Sequence, residues 1–485
     1  MKKKEASIAA DIDIGQAGSC LYNRQHLIIY LACLFLFKLR FLLISLKRAF
    51  LYKVSYKVIH LPVLCLLMLL LGGLAHAEKV YIDITSPGLR KLPIAVQGFI
   101  GGSEISDIVK NDLTFTGLFD CIDEAAHIEK PEQPFNPNNW KGLGIDLVVK
   151  GKVMTEARSQ KPEVRVVVSI YDVSDAREVL RKEYSGSSDL LRPISHSIAN
   201  DIYKILTGQQ GVFRTRIAFV GERSKGQGRG TGQENSELYL MDWDGNRMQG
   251  LGVTGGILLA PRWSLDGLKL LYSAERNRSW DIYLLDMNTM REKNIVRIGG
   301  LNMAGNFFPG NKEFVFSSSK DGKSNIHIGD ILSMKGWKLI SSPWIDVSPA
   351  VSPDGNAVLF VSNRAGSPQI YIADKDGNGI RRLTFEGSYN TSPVWSPKGD
   401  RVAFVSMVGG RNQIFIIKTD RTGLTQLTEK GNNEEPSFSP DGRYIAFTSD
   451  RDGTKGIYVM RISGEGQIRV TPKGFKAAGP SWAPF

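Results

Sequence analysis

The chain is short of the residues that usually do chemistry. It has four cysteines in 485 residues, and Cys20, Cys33 and Cys65 all fall before residue 78. Cys121 stands alone beyond that point, so residues 78–485 can form no internal disulfide and must be stabilised by packing. Histidine is as scarce. Past residue 77 only His127, His196 and His327 occur, at no spacing that suits zinc. His196 is expected on a helix and His327 in a strand, each as a packing or surface residue. The G-x-S-x-G of serine hydrolases is absent, and no hydrolase domain is expected after the last repeat. Basic blocks are missing too. Residues 1–77 hold ten Lys/Arg against three Asp/Glu, and the remainder holds 51 against 46. The net charge of +12 is therefore largely a property of the leader, and nucleic acid is not an expected partner.

What the chain has in plenty is one phrase. APRWSLDG ends at Gly267, PAVSPDG at Gly355, PVWSPKG at Gly399 and PSFSPDG at Gly442. A worn copy, GNFFPGN, spans 305–311, and GPSWAPF spans 479–485. The bulky anchors are Trp263, Phe307, Val351, Trp395, Phe438 and Trp482, at steps of 44, 44, 44, 43 and 44 residues. Tyr272, Phe316, Phe360, Phe404 and Phe447 each follow their anchor by nine residues, and Ile282, Ile326, Ile370, Ile414 and Ile457 form a third register. Each unit reads as an apolar strand, an Asp-Gly type turn, an alternating strand such as RVAFVS, a loop and a strand such as QIFII. A fourth strand follows, as around Leu427. Four strands in a repeat of about 40–45 residues are the signature of a β-propeller blade. A lone blade leaves both faces wet, so the repeat must close into a ring.

The sixth anchor, Trp482, has no aromatic nine residues later, so its blade holds one strand only. The missing strands are expected upstream: 215–220 (TRIAFV) resembles RVAFVS, and Leu238 lies 44 residues before Ile282. Five whole blades and one split blade give six. The expected fold is an α/β N-terminal domain, two helices on a small sheet, followed by an all-β six-bladed β-propeller closed by a split blade. The bounds are 78–208 for the α/β domain, 209–214 for a linker and 215–485 for the propeller.

Residues 53–77 read as a signal peptide. Lys53 and Lys57 make the basic start, 61–71 is the apolar run, and Ala75-His76-Ala77 is a small-x-small site with cleavage after Ala77. An uncleaved anchor is the alternative, but the run is short for a span. Residues 1–52 are a leader extension. They reflect a start codon set too far upstream, or else a further membrane segment.

In 78–207 the grammar changes. KVYIDIT and LPIAVQGF look like strands. A helix is expected over 103–119, with Ser103 as N-cap and Ile105, Ile108, Val109 and Leu113 on one face. Pro131 to Asn139 read as a loop. IDLVVKGKVM, EVRVVVSIYDV and EVLRKEYSG read as strands. A second helix is expected over 188–206, with Leu191, Ile194, Ile198, Ile202 and Ile205 inward and Gly208 as its stop.

The α/β region, the ILTGQQGVFRTRIAFV joint and the PxWSPDG repeats together resemble the TolB family, the periplasmic component of the Tol–Pal system of Gram-negative bacteria. The resemblance covers residues 78–485. It implies a periplasmic, non-enzymatic adaptor serving outer-membrane integrity and constriction during division. It implies that the propeller mouth docks Pal, a lipoprotein of peptidoglycan and outer membrane. The stretches before each PxW, at 258–260, 303–305, 346–348, 390–392, 433–435 and 477–479, read as variable loops around that mouth. By the resemblance, the contacts are Leu301, Asn302, Met303, Ala304, Asp346, Val347, Asn390, Thr391, Asn433 and Glu434. The family often has His where Leu301 stands. The mature N-terminus, Glu78, Lys79, Val80, Tyr81, Ile82, Asp83 and Ile84, is the implied TolA-binding segment, with a permanent edge strand as its alternative. Other outer-membrane lipoproteins are further candidate partners, and a monomer is expected.

Two motifs invite chemistry and are read as structure. The GQGRGTG at 226–232 lacks the Lys-Ser/Thr ending of a phosphate loop and falls where the split blade runs nine residues long. Asp374, Asp376 and Asn378 resemble a calcium loop, but its twelfth position is Phe385, and Asp-Gly is what a tight turn wants. Asp242 with Asp244, and Asp450 with Asp452, are similar fragments. No cofactor is expected. Calcium in the channel stays open by resemblance alone. The other functional reading is a secreted propeller enzyme or glycan-binding protein using the same mouth, for which only Asp346, Glu434 and Glu435 are available.

Overall fold

A computed structural model describes residues 90–156, 163–222 and 236–485. The signal peptide with Ala77, the segment from Glu78 to Ile84 and the Gly-rich 226–232 lie outside the described residues.

The N-terminal region is built from β1 (Leu92–Val96), α1 (Ser103–Phe115), β2 (Phe119–Cys121), β3 (Leu147–Glu156), β4 (Glu163–Asp172), β5 (Arg177–Ser187) and α2 (Leu191–Thr207). The sheet order is β2-β1-β3-β4-β5, with β1 parallel to β2 and β3 and an antiparallel meander from β3 to β5. The apolar face of α1 (Ile105, Ile108, Val109, Leu113) and that of α2 (Ile194, Ile198, Ile202, Leu206) are buried in the core. That is what the 3.6-residue spacing requires. Gly208 ends α2 in the left-handed conformation, φ 71°, with its N–H donated to the Lys204 carbonyl at 2.8 Å.

Four details differ from the sequence reading. The helix α1 stops at Phe115, because Gly117 adopts φ +72° and turns the chain into β2, a strand too short to show a period. Ser103 is the first helical residue rather than the cap, which is Gly102 and makes no side-chain bond. The helix α2 begins at Leu191, after a 3-10 turn over Ser188–Leu190. The stretch from Pro131 to Asn139 runs into a helical turn, Asn138–Lys141, which drives Trp140 fully into the core.

From β6 (Arg216–Glu222) onward the chain forms six four-stranded sheets. The split blade joins β6, β7 (Ser236–Asp242) and β8 (Gln249–Thr254) to the closing strand Ala477–Trp482. Ser481 pairs with Ala218 and Trp482 with Ile217, antiparallel. The Trp482 indole N–H donates to Thr215 Oγ1 at 2.8 Å, and the Trp263 indole to the Ser481 carbonyl at 3.1 Å.

The second register is the spine of every blade. Tyr272, Phe360, Phe404 and Phe447 stack across their hairpins on Tyr283, Tyr371, Phe415 and Tyr458 at 5.7–5.8 Å between centroids. In the split blade Phe219 stacks on Tyr239 at 5.6 Å, and in the second whole blade Phe316 stacks on His327 at 5.2 Å. His327 therefore fills an aromatic position, and burial holds its pKa down. The joint between the two parts is not a solvated tether. Val212 and Phe213 are buried, and Phe115 lies 4.7 Å from the Trp243 ring and stacks on Tyr444 at 5.1 Å. One apolar core thus runs from the α/β sheet into the split and fifth blades.

Candidate functional site

Each innermost strand starts at one end of the ring, here called the mouth. Asn302, Asp346, Asn390 and Asn433 pair there with Ser318, Ser362, Ser406 and Ser449, the ends of the second strands. The strand then breaks register before it resumes. Ala260, Ser348, Ser392 and Glu435 adopt φ of 51–54°, and Gly479 adopts 64°. The six stretches read as loops are therefore the mouth-side halves of bulged strands. The bulge spoils their two-residue alternation, so the sequence reads as irregular. A left-handed non-glycine residue costs about 1–2 kcal/mol. Four of them in one ring show how firmly the neighbouring blades define this backbone.

The opening residue of each bulged strand is a knot. Asn433 donates to Gln413 Oε1 at 2.9 Å and to the Lys430 carbonyl at 3.0 Å, and accepts from Arg451 at 2.7 Å. Asn390 donates to Gln369 Oε1 and to the Glu386 carbonyl, both at 2.8 Å. Asp346 accepts from Arg364 at 3.1 Å and from Ser342 at 2.6 Å, and Asn302 donates to the Trp280 carbonyl at 2.8 Å. All four side chains are fully buried. Asn302, Asn390 and Asn433 hold to the third strand of the preceding blade, Asp346 ties the preceding loop to Arg364, and none of the four presents a surface of its own. Among the other expected contacts, Leu301 is exposed, Met303, Val347, Thr391 and Glu434 are half-buried, and Ala304 is buried. Replacing Asn433 by Ala should cost about 1–3 kcal/mol, since Gln413 and Arg451 are left short of a partner. Urea denaturation of the variant, with the exposed Lys430→Ala as control, checks this. An unchanged midpoint would show that the knot is idle.

Behind the mouth runs a channel of about 700 Å³. Its wall carries Arg262, Asn306, Ala350, Val394, Ser437 and Ser481, one from each blade. Arg262 donates to the Pro261 carbonyl at 2.9 Å. The channel wall pulls its pKa down, and the charge of Glu435 opposes this. Glu435 accepts from Thr448 at 2.9 Å and from the Gly479 N–H at 2.7 Å. This donor set does not fit calcium, which takes six to eight oxygens. Glu435 supplies the one side-chain carboxylate among the channel residues described, and a guanidinium shares the lumen. Asp374 lies in a tight turn, its carbonyl accepting from the Gly377 N–H at 2.8 Å. Nor do the mouth carboxylates converge as an acid–base pair would. Asp346 is held by Arg364, and Glu434 by Lys455 at 2.8 Å and Asn412 at 2.9 Å.

A second polar centre was not legible in the sequence. On α2, His196 Nδ1 lies 2.7 Å from Asp112 of α1, and Nε2 lies 3.6 Å from Asp244 in the turn after β7. Arg192 also pairs with Asp244. Asp112, His196 and Asp244 are the one group among the described residues whose ligand atoms come within 4.8 Å of each other. The Arg192 guanidinium already neutralises the Asp244 carboxylate, so the cluster reads as a tie between the α/β domain and the propeller. The sequence signal was the second Asp of the Asp242/Asp244 turn, taken for turn chemistry alone.

Residues 203–485 match the family described as TolB beta propeller domain, and residues 80–179 match the TolB amino-terminal domain. A curated relative from Geobacter sulfurreducens, named Tol-Pal system protein TolB, is 36% identical over 208 residues, 40% of this chain and 45% of the relative. One of the same name from Desulfosudis oleivorans is 34% identical over 226 residues, 43% and 49% of the two chains. The chain spans about half the length of the curated relatives it matches. The crystal structure of TolB from Acinetobacter baumannii superposes with a TM-score of 0.73 at 26% identity, covering 84% of this chain and 100% of that one. A closed six-bladed ring carrying a small α/β domain defines the class, a two-domain propeller protein. The chain belongs to the TolB family of the Tol–Pal system, a non-enzymatic family. Among the described residues no helix is long and apolar enough to cross a membrane.

Proposed function

We propose that this protein is a periplasmic adaptor of the Tol–Pal system, binding Pal at the propeller mouth and TolA through residues 78–84. In that role it serves outer-membrane integrity and constriction during division. The observation that carries the reading is the knotted mouth. Four buried polar residues fix its rim, while Met303, Val347 and Thr391 remain partly open to solvent beside them. A preformed rim loses little freedom on docking, which is how a modest surface reaches useful affinity.

Titration with the soluble domain of Pal tests it. The parent should bind, and a Met303→Ala, Val347→Ala, Thr391→Ala variant should bind at least about tenfold more weakly, the loss of roughly 1.4 kcal/mol. A parent that ignores Pal would overturn the function. A chain lacking residues 78–84 should lose TolA and keep Pal. If the two sites are coupled, the factor by which TolA changes Pal affinity must equal the factor by which Pal changes TolA affinity.

A further inference from the structure

The residue just outside each knot recurs at the blade step. In chain order these residues are Ile257, Leu301, Ile345, Tyr389, Asn432 and Lys476. The first four are large, apolar and exposed, at 41, 43, 47 and 38%. A bulky side chain left this open in one blade is unremarkable. Four at the same register in consecutive blades form a continuous arc. Trp344, also exposed, widens it beside Ile345 and lies 5.4 Å under the Arg364 guanidinium. The remaining two positions are polar. That sector is laced by the Lys455–Glu434 and Lys476–Glu222 pairs.

The charge around the arc has one dominant sign. The hairpins between second and third strands, and the loops leaving the fourth strands, lie at this end of the ring. The ladder shows it: Ser318 pairs with both Asn302 and Asn325, Ile326 pairs with Ile340, and Leu301 bridges to Trp280. In the first four blades these connections expose Arg278, Arg297, Lys320, Lys323, Arg411 and Lys430. Against them stand Asp321, Glu386 and Glu429, and Asp321 is already paired with Lys338 at 2.8 Å.

We propose that the mouth is engaged off-centre. An apolar knob bordered by carboxylates on the partner seats over Ile257, Leu301, Ile345 and Tyr389, and the polar sector of the fifth and split blades stays outside the contact. This rests on the reading that Pal is the partner, and it adds the part of the rim used and the chemistry matched. An apolar centre ringed by complementary charge is the usual layout of a specific interface.

The test is calorimetric titration of the soluble Pal domain into the full protein and into Leu301→Asp, Ile345→Asp, the double variant, and Asn432→Ala with Lys476→Ala. Leu301, Ile345 and Lys476 are exposed, whereas Asn432 gives up a bond to Asp450 at 2.9 Å, so each variant's unfolding midpoint is measured first and binding is read where every variant is folded. We expect each Asp variant to weaken binding about tenfold or more and the polar-sector variant to stay within about twofold. Raising ionic strength from 50 to 300 mM should weaken the parent several-fold, as screening of a charged border requires. Asp variants that bind Pal like the parent would overturn the off-centre contact while leaving Pal as partner. Loss of binding in the polar-sector variant alone would move the contact to the opposite sector. A parent that does not bind Pal would overturn both readings.

Discussion

A chain ending at Lys476 is expected not to form a stable propeller. Residues 477–485 hold one strand, yet that strand is the innermost of the split blade, and its hydrogen-bonded ladder to β6 is what joins the two ends of the ring. Without it the inner edge of β6 is bare, and the Trp482 ring leaves a core shared with Tyr444 at 6.3 Å and with Thr215. Loss of a buried Trp side chain costs about 3–5 kcal/mol. Each lost ladder hydrogen bond adds about 0.5–1.5 kcal/mol. The sum reaches the roughly 5–15 kcal/mol that a whole domain commands. The damage should also spread, because a blade next to a gap has one wet face. Urea denaturation followed by tryptophan fluorescence and by far-ultraviolet circular dichroism reads this out. The truncated chain should be largely unfolded in buffer or melt without cooperativity. Trp482→Phe, which keeps the strand but loses the indole bond to Thr215 and part of the ring's buried volume, should unfold cooperatively at a lower midpoint. A truncated chain that unfolds at the parent's midpoint would show that the ring does not depend on the split blade.

That closure could be read from the sequence because burial repeats. The anchors, the aromatic spine and the isoleucine register each mark a residue wedged between blades, and Leu238 sits on the isoleucine register as placed. The α/β helices were legible for the same reason. The bulges were not, since a left-handed Ala260 or Ser348 looks like any small residue. The knots were half visible. Asn302, Asp346, Asn390 and Asn433 recur at the blade step, and a polar residue that keeps step with core positions is better read as a buried tie than as a contact. Family resemblance drew them toward the partner instead. The cluster at His196 had no sequence period at all, because it joins two domains through residues separated by 84 and 48 positions.

His196→Ala should be among the most damaging single substitutions away from the ring closure. It removes a side chain that touches both Asp112 of α1 and Asp244 of the propeller, and takes from the buried Asp112 its hydrogen-bond partner. Breaking a buried pair on one side costs about 3–5 kcal/mol. Protonation of Asp112 should soften this, because burial already pushes its carboxyl up to about 6, against the hydrogen bond and charge of His196. The folded protein therefore holds a proton between about pH 4 and 6 that the unfolded chain has released. This site's contribution is full below about pH 4 and is lost as the pH rises through 6, up to about 3 kcal/mol for two pKa units. Acid should then strengthen the tie, opposite to the effect expected of Glu292, whose pairing with Arg276 and Tyr272 holds its pKa down. Comparing parent and Asp112→Asn isolates the site. The stability gap between them should shift by about 2–3 kcal/mol between pH 4 and pH 7, with the parent relatively weaker at pH 7. In His196→Ala, protease should also gain access to residues 209–214, where Val212 and Phe213 are now buried. A pH-independent gap together with an uncut joint would mean that the contact between the α/β domain and the propeller is held by apolar packing such as the Phe115, Trp243 and Tyr444 rings and not by this cluster.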